Sequence, residues 1–211
     1  MSLVSPPDPI LYDGETFRDI DFGDSAFEQV RLVNCHLESC RFRGTRMTEC
    51  TTQHVTFTEC DFTLALLGAS VHSSSQFLNC TFANAALFNA RFSQCKMVGS
   101  SFERAQLTGV TIEGGDWSYT LLDEQNLTGQ DFSGAKLVDA SLLRCDLRRA
   151  NLRDSDMSGA ALDGARLKGA DLRGARLERV NLAAVNLAGA KINLQQAVLF
   201  ARAHGAVVEV E

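Results

Sequence analysis

Large apolar residues recur at every fifth position of this chain from Phe17 to Ile192, and the phase never changes. Of these 36 positions, only Thr52 and His72 are not large and apolar. A period of five is neither the 3.6 of an α-helix nor the 2.0 of a β-strand. The pattern therefore predicts a repeat architecture in which each group of five residues is one structural unit.

The position two residues before each large apolar residue usually holds a small residue. Alanine, serine, threonine and valine are common there, and all seven cysteines occupy it: Cys35, Cys40, Cys50, Cys60, Cys80, Cys95 and Cys145. One small and one large inward residue per unit, with polar residues between them, predict a solenoid around a narrow packed shaft. We expect the cysteines to be buried, free thiols that pack as small hydrophobic groups.

The recurring pattern Ala-(Asp/Asn)-Leu-X-X, clearest at 150–154 and 170–174, resembles the pentapeptide-repeat family over residues 15–194. The resemblance implies an all-β fold, a right-handed quadrilateral β-helix in which four pentads close one coil of 20 residues. The 36 pentads would then form about nine coils in a rod about 43 Å long, at about 4.8 Å per coil. In this frame Thr52 and His72 lie one coil apart on the same face, and we expect a local bulge or a hydrogen-bonded polar pair.

The two ends of the chain depart from the repeat, which gives three segments. Residues 1–14 are expected to form a lead-in or cap, residues 15–192 the β-helix, and residues 193–211 a helix and tail. Asn193 is a candidate N-cap for a helix that ends at Gly205. This helix is apolar around most of its circumference, although covering the last coil needs only one face. The surplus predicts a two-fold dimer, with a cap alone as the alternative. The expected dimer interface comprises Leu194, Ala197, Val198, Leu199, Phe200 and Ala201.

The net charge of −6 is distributed unevenly over the predicted faces. The face centred on Phe22, Phe42 and Phe62 and the face centred on Phe17, Leu37 and Phe57 together hold 14 acidic residues. The expected partner-binding acids on these faces are Asp21, Asp24, Asp61, Glu103, Asp116, Asp123 and Glu124. One interpretation is a solvated surface that keeps the rod dispersed. The other is mimicry of a polyanion through shape and a few placed carboxylates, because duplex DNA carries one charge per about 1.7 Å.

The sequence contains no recognisable catalytic, cofactor-binding or metal-binding motif. Asp123 and Glu124 form the best adjacent carboxylate pair, but both are expected on a convex surface that offers no pocket. Cys35, His36 and Cys40 cannot converge on a metal ion, because His36 has an outward phase while the cysteines point inward. We therefore expect a protein that is not an enzyme and has no cofactor. Direct nucleic-acid binding is disfavoured, since no basic stripe is present.

No stretch approaches the about 20 apolar residues of a membrane span. The first residues also lack the features of a signal peptide, so a cytoplasmic protein is expected.

Within the family, two short segments resemble the gyrase-directed MfpA/Qnr subgroup. They are residues 61–68, Asp-Phe-Thr-Leu-Ala-Leu-Leu-Gly, and the helical segment 196–205. The resemblance implies a dimeric rod that imitates DNA, binds DNA gyrase, inhibits it and reduces fluoroquinolone action. The unbroken phase argues against large projecting loops and favours MfpA-type behaviour. The alternative is a scaffold or adaptor rod with another protein partner.

Overall fold

The structure is a computed structural model that describes residues 10–23 and 25–209. Two parallel sheets run along the molecule, each formed by strands that are 20 residues apart. The first sheet contains β1 (Leu11–Asp13), β3 (Arg31–Val33), β5 (Thr51–Gln53), β7 (Val71–Ser73), β9 (Arg91–Ser93) and β10 (Thr111–Glu113). The second contains β2 (Thr16–Arg18), β4 (His36–Glu38), β6 (Thr56–Thr58) and β8 (Gln76–Leu78).

The register between neighbouring strands is one coil, as in the pairing of Leu37 with Phe57 and of Phe57 with Phe77. Named strands extend into the sixth coil, where β10 lies, and isolated parallel bridges continue the ladder as far as Asp171 and Lys191. The predicted quadrilateral β-helix is therefore confirmed. The ladder already begins at β1, inside the segment 1–14 that was expected as a lead-in; residues 1–9 of that segment lie outside the described residues.

The four sides of the coil are called faces 1 to 4 in chain order. Face 1 carries the sheet of β1, and face 2 carries the sheet of β2. Face 3 has the column Phe22, Phe42, Phe62 pointing inward, and face 4 has the column Phe27, Met47, Leu67. Residues at the end of each pentad turn the corner in a left-handed backbone conformation, including non-glycine residues such as Leu64 with φ of +60°.

The shaft is filled by the large and small inward residues that the periodicity predicts. Stacked phenylalanines form one column, in which Phe42 and Phe62 rings are 4.9 Å apart and Phe62 and Phe82 rings are 4.8 Å apart. All seven cysteines are buried and free. Burial raises the pKa of the Cys50 thiol to about 12, so this group packs as a neutral apolar side chain.

The two exceptions to the apolar series, Thr52 and His72, form a buried hydrogen-bonded pair. Thr52 Oγ1 lies 2.9 Å from His72 Nδ1, and His72 Nε2 lies 2.9 Å from Ser70 Oγ. Because the Ser70 hydroxyl donates to the Leu67 carbonyl at 2.8 Å, its oxygen accepts from Nε2 and the Thr52 hydroxyl donates to Nδ1. Burial lowers the pKa of His72 to about 3, so the imidazole is neutral.

The backbone ladder is interrupted in the middle of the rod, although the sequence phase is continuous. Phe102 N still donates to Leu121 O at 2.9 Å, and Trp117 N donates to Lys136 O at 2.7 Å. Between these points the backbone of this coil is separated from the backbone of the next coil. The backbone N–H groups without a hydrogen-bond partner in residues 10–23 and 25–209 include those of Arg104, Leu107, Gly109 and Asn126.

Two glutamines account for this interruption. Gln125 and Gln130 occupy inward positions that hold small residues in most other coils. Gln125 Nε2 donates to Phe102 O at 3.0 Å, where other coils use a hydroxyl or thiol. Gln130 Nε2 donates to Val110 O, and its Oε1 accepts from Ile112 N at 3.2 Å. Their longer side chains hold the two coils apart.

The helix α1 (Leu194–Ala203) closes the C-terminal end, and Asn193 is confirmed as its N-cap. Asn193 Oδ1 accepts from Gln196 N at 3.0 Å, and Gln196 Oε1 accepts from Asn193 N at 2.9 Å. The same Gln196 side chain is buried and donates through Nε2 to the carbonyls of Leu172 and Ala175. This second role, which anchors α1 to the last coils, was not evident in the sequence.

Candidate functional site

Faces 2 and 3 are adjacent and form the acidic side of the rod. Face 3 presents Asp21, Asp61, Glu103, Asp123 and Glu124, whereas Asp116 lies on face 2. Asp24, the seventh predicted acid, lies outside the described residues. In the face 3 column Arg41 lies between Asp21 and Asp61, so those two acids are two coils apart.

Three of the predicted acids surround one cleft. Glu103, Asp123 and Glu124 line a cavity of about 530 Å³ on face 3, at the edge of the interruption in the ladder. The other lining residues are Ser101, Arg104, Ala105, Leu121 and Gln125. The sequence analysis placed Asp123 and Glu124 on a convex surface without a pocket, and that expectation was wrong because Gln125 keeps the neighbouring coils apart.

Most acids of this surface have a basic partner close by. Arg41 Nε is 3.0 Å from Asp21 Oδ2, and Arg144 Nη2 is 2.6 Å from Glu124 Oε1. A hydrogen bond from Gly23 N–H, followed by one from Arg41, lowers the pKa of Asp21. These pairs span adjacent coils at a separation of 20 residues, which reduces the local charge below the value expected from counting acids.

Asp61 and Asp123 differ from the paired acids. Among the described residues no basic side chain lies within salt-bridge distance of either one. Asp61 Oδ1 accepts from Thr63 N at 2.8 Å, and Asp123 Oδ1 accepts from Ser141 Oγ and, at 3.0 Å, from Leu143 N. These two carboxylates are held in fixed orientations by neutral hydrogen-bond donors.

The basic residues of the C-terminal coils are also paired. Asp146 Oδ2 lies 2.6 Å from Arg148 Nη2 and 3.5 Å from Arg166 Nη1. The Arg148 guanidinium lowers the pKa of Asp146 to about 2. The same arrangement recurs at Asp171, which is 2.6 Å from Arg173. The arginines of the C-terminal coils are therefore largely engaged with acids.

The six predicted interface residues of α1 divide into two groups. Leu194 and Leu199 are exposed, and Leu194 retains 81% of its accessible surface. Ala197, Val198, Phe200 and Ala201 are half-buried, and Phe200 packs against the core. The helix thus covers the last coil with one side and leaves apolar groups on the other.

Other kinds of site receive no support from the part of the chain that the structure describes. In residues 10–23 and 25–209 no group of three or more His, Cys, Asp or Glu side chains is placed to hold a metal ion. Among the helices in those residues, none combines the length and the apolar character needed to cross a bilayer.

Comparison with known proteins shows where this architecture recurs. The family model for pentapeptide repeats matches residues 20–63, 85–116, 105–142, 131–169 and 160–199. The pentapeptide repeat protein MfpA of Mycobacterium tuberculosis is 39% identical over 97 residues, which cover 46% of this chain and 53% of that protein. The chain therefore matches only about half the length of this relative.

The fold also resembles solved structures of QnrB1, described as a plasmid-mediated fluoroquinolone resistance protein. A trypsin-treated variant superposes with a TM-score of 0.63 at 20% identity, covering 95% of this chain and 98% of that chain. The full-length protein gives a TM-score of 0.51 at 18% identity, with coverages of 93% and 100%. At these identities the likeness concerns the fold. The resemblance to the pentapeptide-repeat family and its MfpA/Qnr subgroup, predicted from the sequence, is confirmed.

Proposed function

Because this chain belongs to the pentapeptide-repeat family, we propose that it is a DNA-mimicking rod that binds DNA gyrase, inhibiting the enzyme and/or reducing fluoroquinolone action. The observation that carries the proposal is the 39% identity to MfpA of Mycobacterium tuberculosis over 97 residues. The fold shared with QnrB1, a fluoroquinolone resistance protein, agrees with this assignment. On this proposal the protein is a binding protein, not an enzyme, and acts in the cytoplasm without a cofactor.

The acidic side of the rod supplies the proposed recognition surface. Its coils repeat at about 4.8 Å, so its charges are much sparser than the about 1.7 Å spacing in duplex DNA. Mimicry must therefore depend on the shape of the rod and on a few carboxylates in fixed positions. Asp61 and Asp123 are the best candidates, because their orientations are fixed and their charges are not neutralised by a neighbouring base.

Gyrase inhibition provides the direct test. DNA supercoiling by purified gyrase is titrated with the protein, with and without a fluoroquinolone. We expect inhibition in the micromolar range or relief of drug-induced DNA cleavage. A triple variant, Asp61→Asn, Glu103→Gln and Asp123→Asn, should weaken either effect by roughly tenfold. Charges in fixed positions control both the rate at which two proteins associate and the alignment in which they bind.

A matched variant separates placed charge from total charge. Asp13→Asn, Glu113→Gln and Asp131→Asn remove the same number of acids from face 1 and should change the titration by less than about threefold. An equal loss of the effect on gyrase in the two variants would show that only the net charge of the protein matters. If the folded wild-type protein has no effect on gyrase from the same organism, the gyrase proposal fails.

The C-terminal segment 193–211 is proposed to join two rods end to end. The outward apolar side of α1, with Leu194 and Leu199, is the surface for a second copy. In the double variant Leu194→Glu and Leu199→Glu, burial of charge at the contact should convert a dimer of about 46 kDa into a monomer at 23.0 kDa, measured by sedimentation velocity. A folded variant that remains dimeric would contradict this arrangement, and Gln195→Glu on the exposed side is the control.

A scaffold role is the second candidate, and face 4 favours it. Its outward positions from Leu66 to Gly129 carry no charged residue over four successive coils. Leu66 and Phe88 are both exposed within this stretch, at 43% each. A contiguous uncharged strip on a rod with 22% charged residues is suited to a protein partner. Unaltered gyrase activity in the titration above would favour this role.

A further inference from the structure

The interruption of the ladder leaves a slot between two coils that no other part of the described chain fills. We propose that this slot, between residues 104–109 and 123–128, binds a short extended segment of a partner protein by β-strand addition. The segment would carry one basic residue at the face 3 end and uncharged residues after it. This site does not depend on the proposed interaction with gyrase.

The backbone groups on the slot are those of an exposed sheet edge. In intact coils, N–H groups at these positions donate to the carbonyls of the next coil, as Leu87 N does to Gln106 O at 3.0 Å. In the slot, Leu107 N and Gly109 N on one side and Asn126 N on the other have no partner in the described chain. Unpaired strand edges recruit extended peptides because the main chain supplies matching donors and acceptors.

The protein itself shows which chemistry fits the slot. At one end the Gln130 carboxamide accepts from Ile112 N and donates to Val110 O. A residue in a parallel strand opposite Thr111 would make the same two hydrogen bonds. The side-chain amide thus takes the place of the N–H and C=O groups of one strand residue. A bound segment would continue this pattern across face 4.

A buried polar atom beside the slot points to a missing partner. Within the described residues, Thr128 Oγ1 is the one buried side-chain nitrogen or oxygen atom that has no hydrogen-bond partner. Buried hydroxyl groups are normally satisfied, because leaving one unpaired is energetically unfavourable. Thr128 lies on the coil that borders the slot, where an inserted peptide would bring a donor or acceptor near it.

The charges around the slot indicate which residues the bound segment should contain. The face 3 end of the slot is lined by Glu103, Asp123 and Glu124. Arg104 lies 3.8 Å from Glu103 and Arg144 lies 2.6 Å from Glu124, so Asp123 is the acid that has no basic partner among the described residues. The remaining length of the slot crosses the uncharged strip of face 4. A segment with a lysine or arginine next to Asp123, followed by neutral residues, complements both parts.

The test uses three blocked hexapeptides and hydrogen exchange of the full-length protein followed by NMR. The first probe is lysine-valine-threonine-valine-threonine-valine; the second has glutamate in place of lysine; the third has the first sequence with N-methylated peptide bonds. We expect the lysine peptide to slow exchange of the Leu107 and Gly109 amides by roughly tenfold at saturation. The glutamate peptide should bind at least about tenfold more weakly, and the N-methylated peptide should have no effect.

A variant that closes the slot is the matched control. Gln125→Thr with Gln130→Ala installs the small residues used in other coils and should abolish the peptide effect. Gln76→Thr, on the outside of β8, should leave it unchanged. Protection of Leu107 and Gly109 without peptide would show that the slot is closed in solution and would overturn the proposal. Equal binding of all three peptides, or no binding to the wild-type protein, would overturn it as well, even if the closing variant fails to fold.

Discussion

Replacement of Phe62 by alanine is expected to lower the free energy of unfolding by about 3–5 kcal/mol. The Phe62 side chain is fully buried. Its ring stacks between Phe42 and Phe82 at 4.9 and 4.8 Å and meets Phe57 edge to face at 5.4 Å. Alanine would remove all these contacts and leave a cavity in a shaft that has little freedom to collapse, because the backbone ladder fixes the distance between coils.

Urea unfolding followed by circular dichroism measures this effect. Phe88→Ala is the matched control, because Phe88 is 43% exposed on face 4 and should lose less than about 1 kcal/mol. Since each coil contacts only its neighbours, Phe62→Ala is also expected to separate the unfolding of the flanking coils into two transitions. Similar midpoints for the two variants would show that the phenylalanine column is not the main source of stability.

Acidification is expected to destabilise the protein through His72. Burial lowers the pKa of this side chain in the folded state to about 3, below the ordinary value of 6.5. Folding thus favours the neutral imidazole, so its contribution is fully present above pH 6.5 and is lost progressively as the pH falls toward 3. The difference between the two pKa values corresponds to a loss of roughly 5 kcal/mol in the free energy of unfolding. A charged imidazole would retain its bond to Ser70 Oγ, but Nδ1 would become a donor, and the Thr52 hydroxyl would have to turn its proton toward Ser75 Oγ, 3.0 Å away.

The pH dependence is measured as the midpoint of urea unfolding between pH 7.5 and 3.5. Surface carboxylates titrate in the lower part of this range, so the comparison is with the double variant Thr52→Leu and His72→Phe. That variant restores two apolar residues to the column and should be much less sensitive between pH 6.5 and 4.5. Parallel curves for the two proteins would show that His72 is not the group responsible.

The sequence predicts the coil and its core well because one constraint repeats at every fifth position. A large residue can be accommodated in the shaft only at that phase, so the inward series identifies most buried residues. The capping motif at Asn193 was also predictable, since it depends on residues that are close in sequence. Of the two alternatives for Thr52 and His72, the hydrogen-bonded pair is confirmed. Ser70, which completes its geometry, looked like an ordinary small inward residue.

The features missed by the sequence analysis depend on contacts between coils. The ion pairs of Asp21 with Arg41 and of Glu124 with Arg144 bring together residues 20 positions apart, and only the choice of rotamer decides that they meet. The slot was hidden because Gln125 and Gln130 leave the five-residue phase intact. Their length at a position for small residues was a visible signal, and the widened spacing between coils is its physical result.

The equal length of the four sides has an evolutionary consequence. Deleting a single pentad keeps every downstream residue in its inward or outward role, so the shaft tolerates the change. The same deletion turns all downstream coils by one quarter of a revolution relative to those before it. The Asp–Arg clusters of the C-terminal coils would then align with different faces of the N-terminal half. One short deletion would therefore recombine the surfaces of the protein without any substitution in its core.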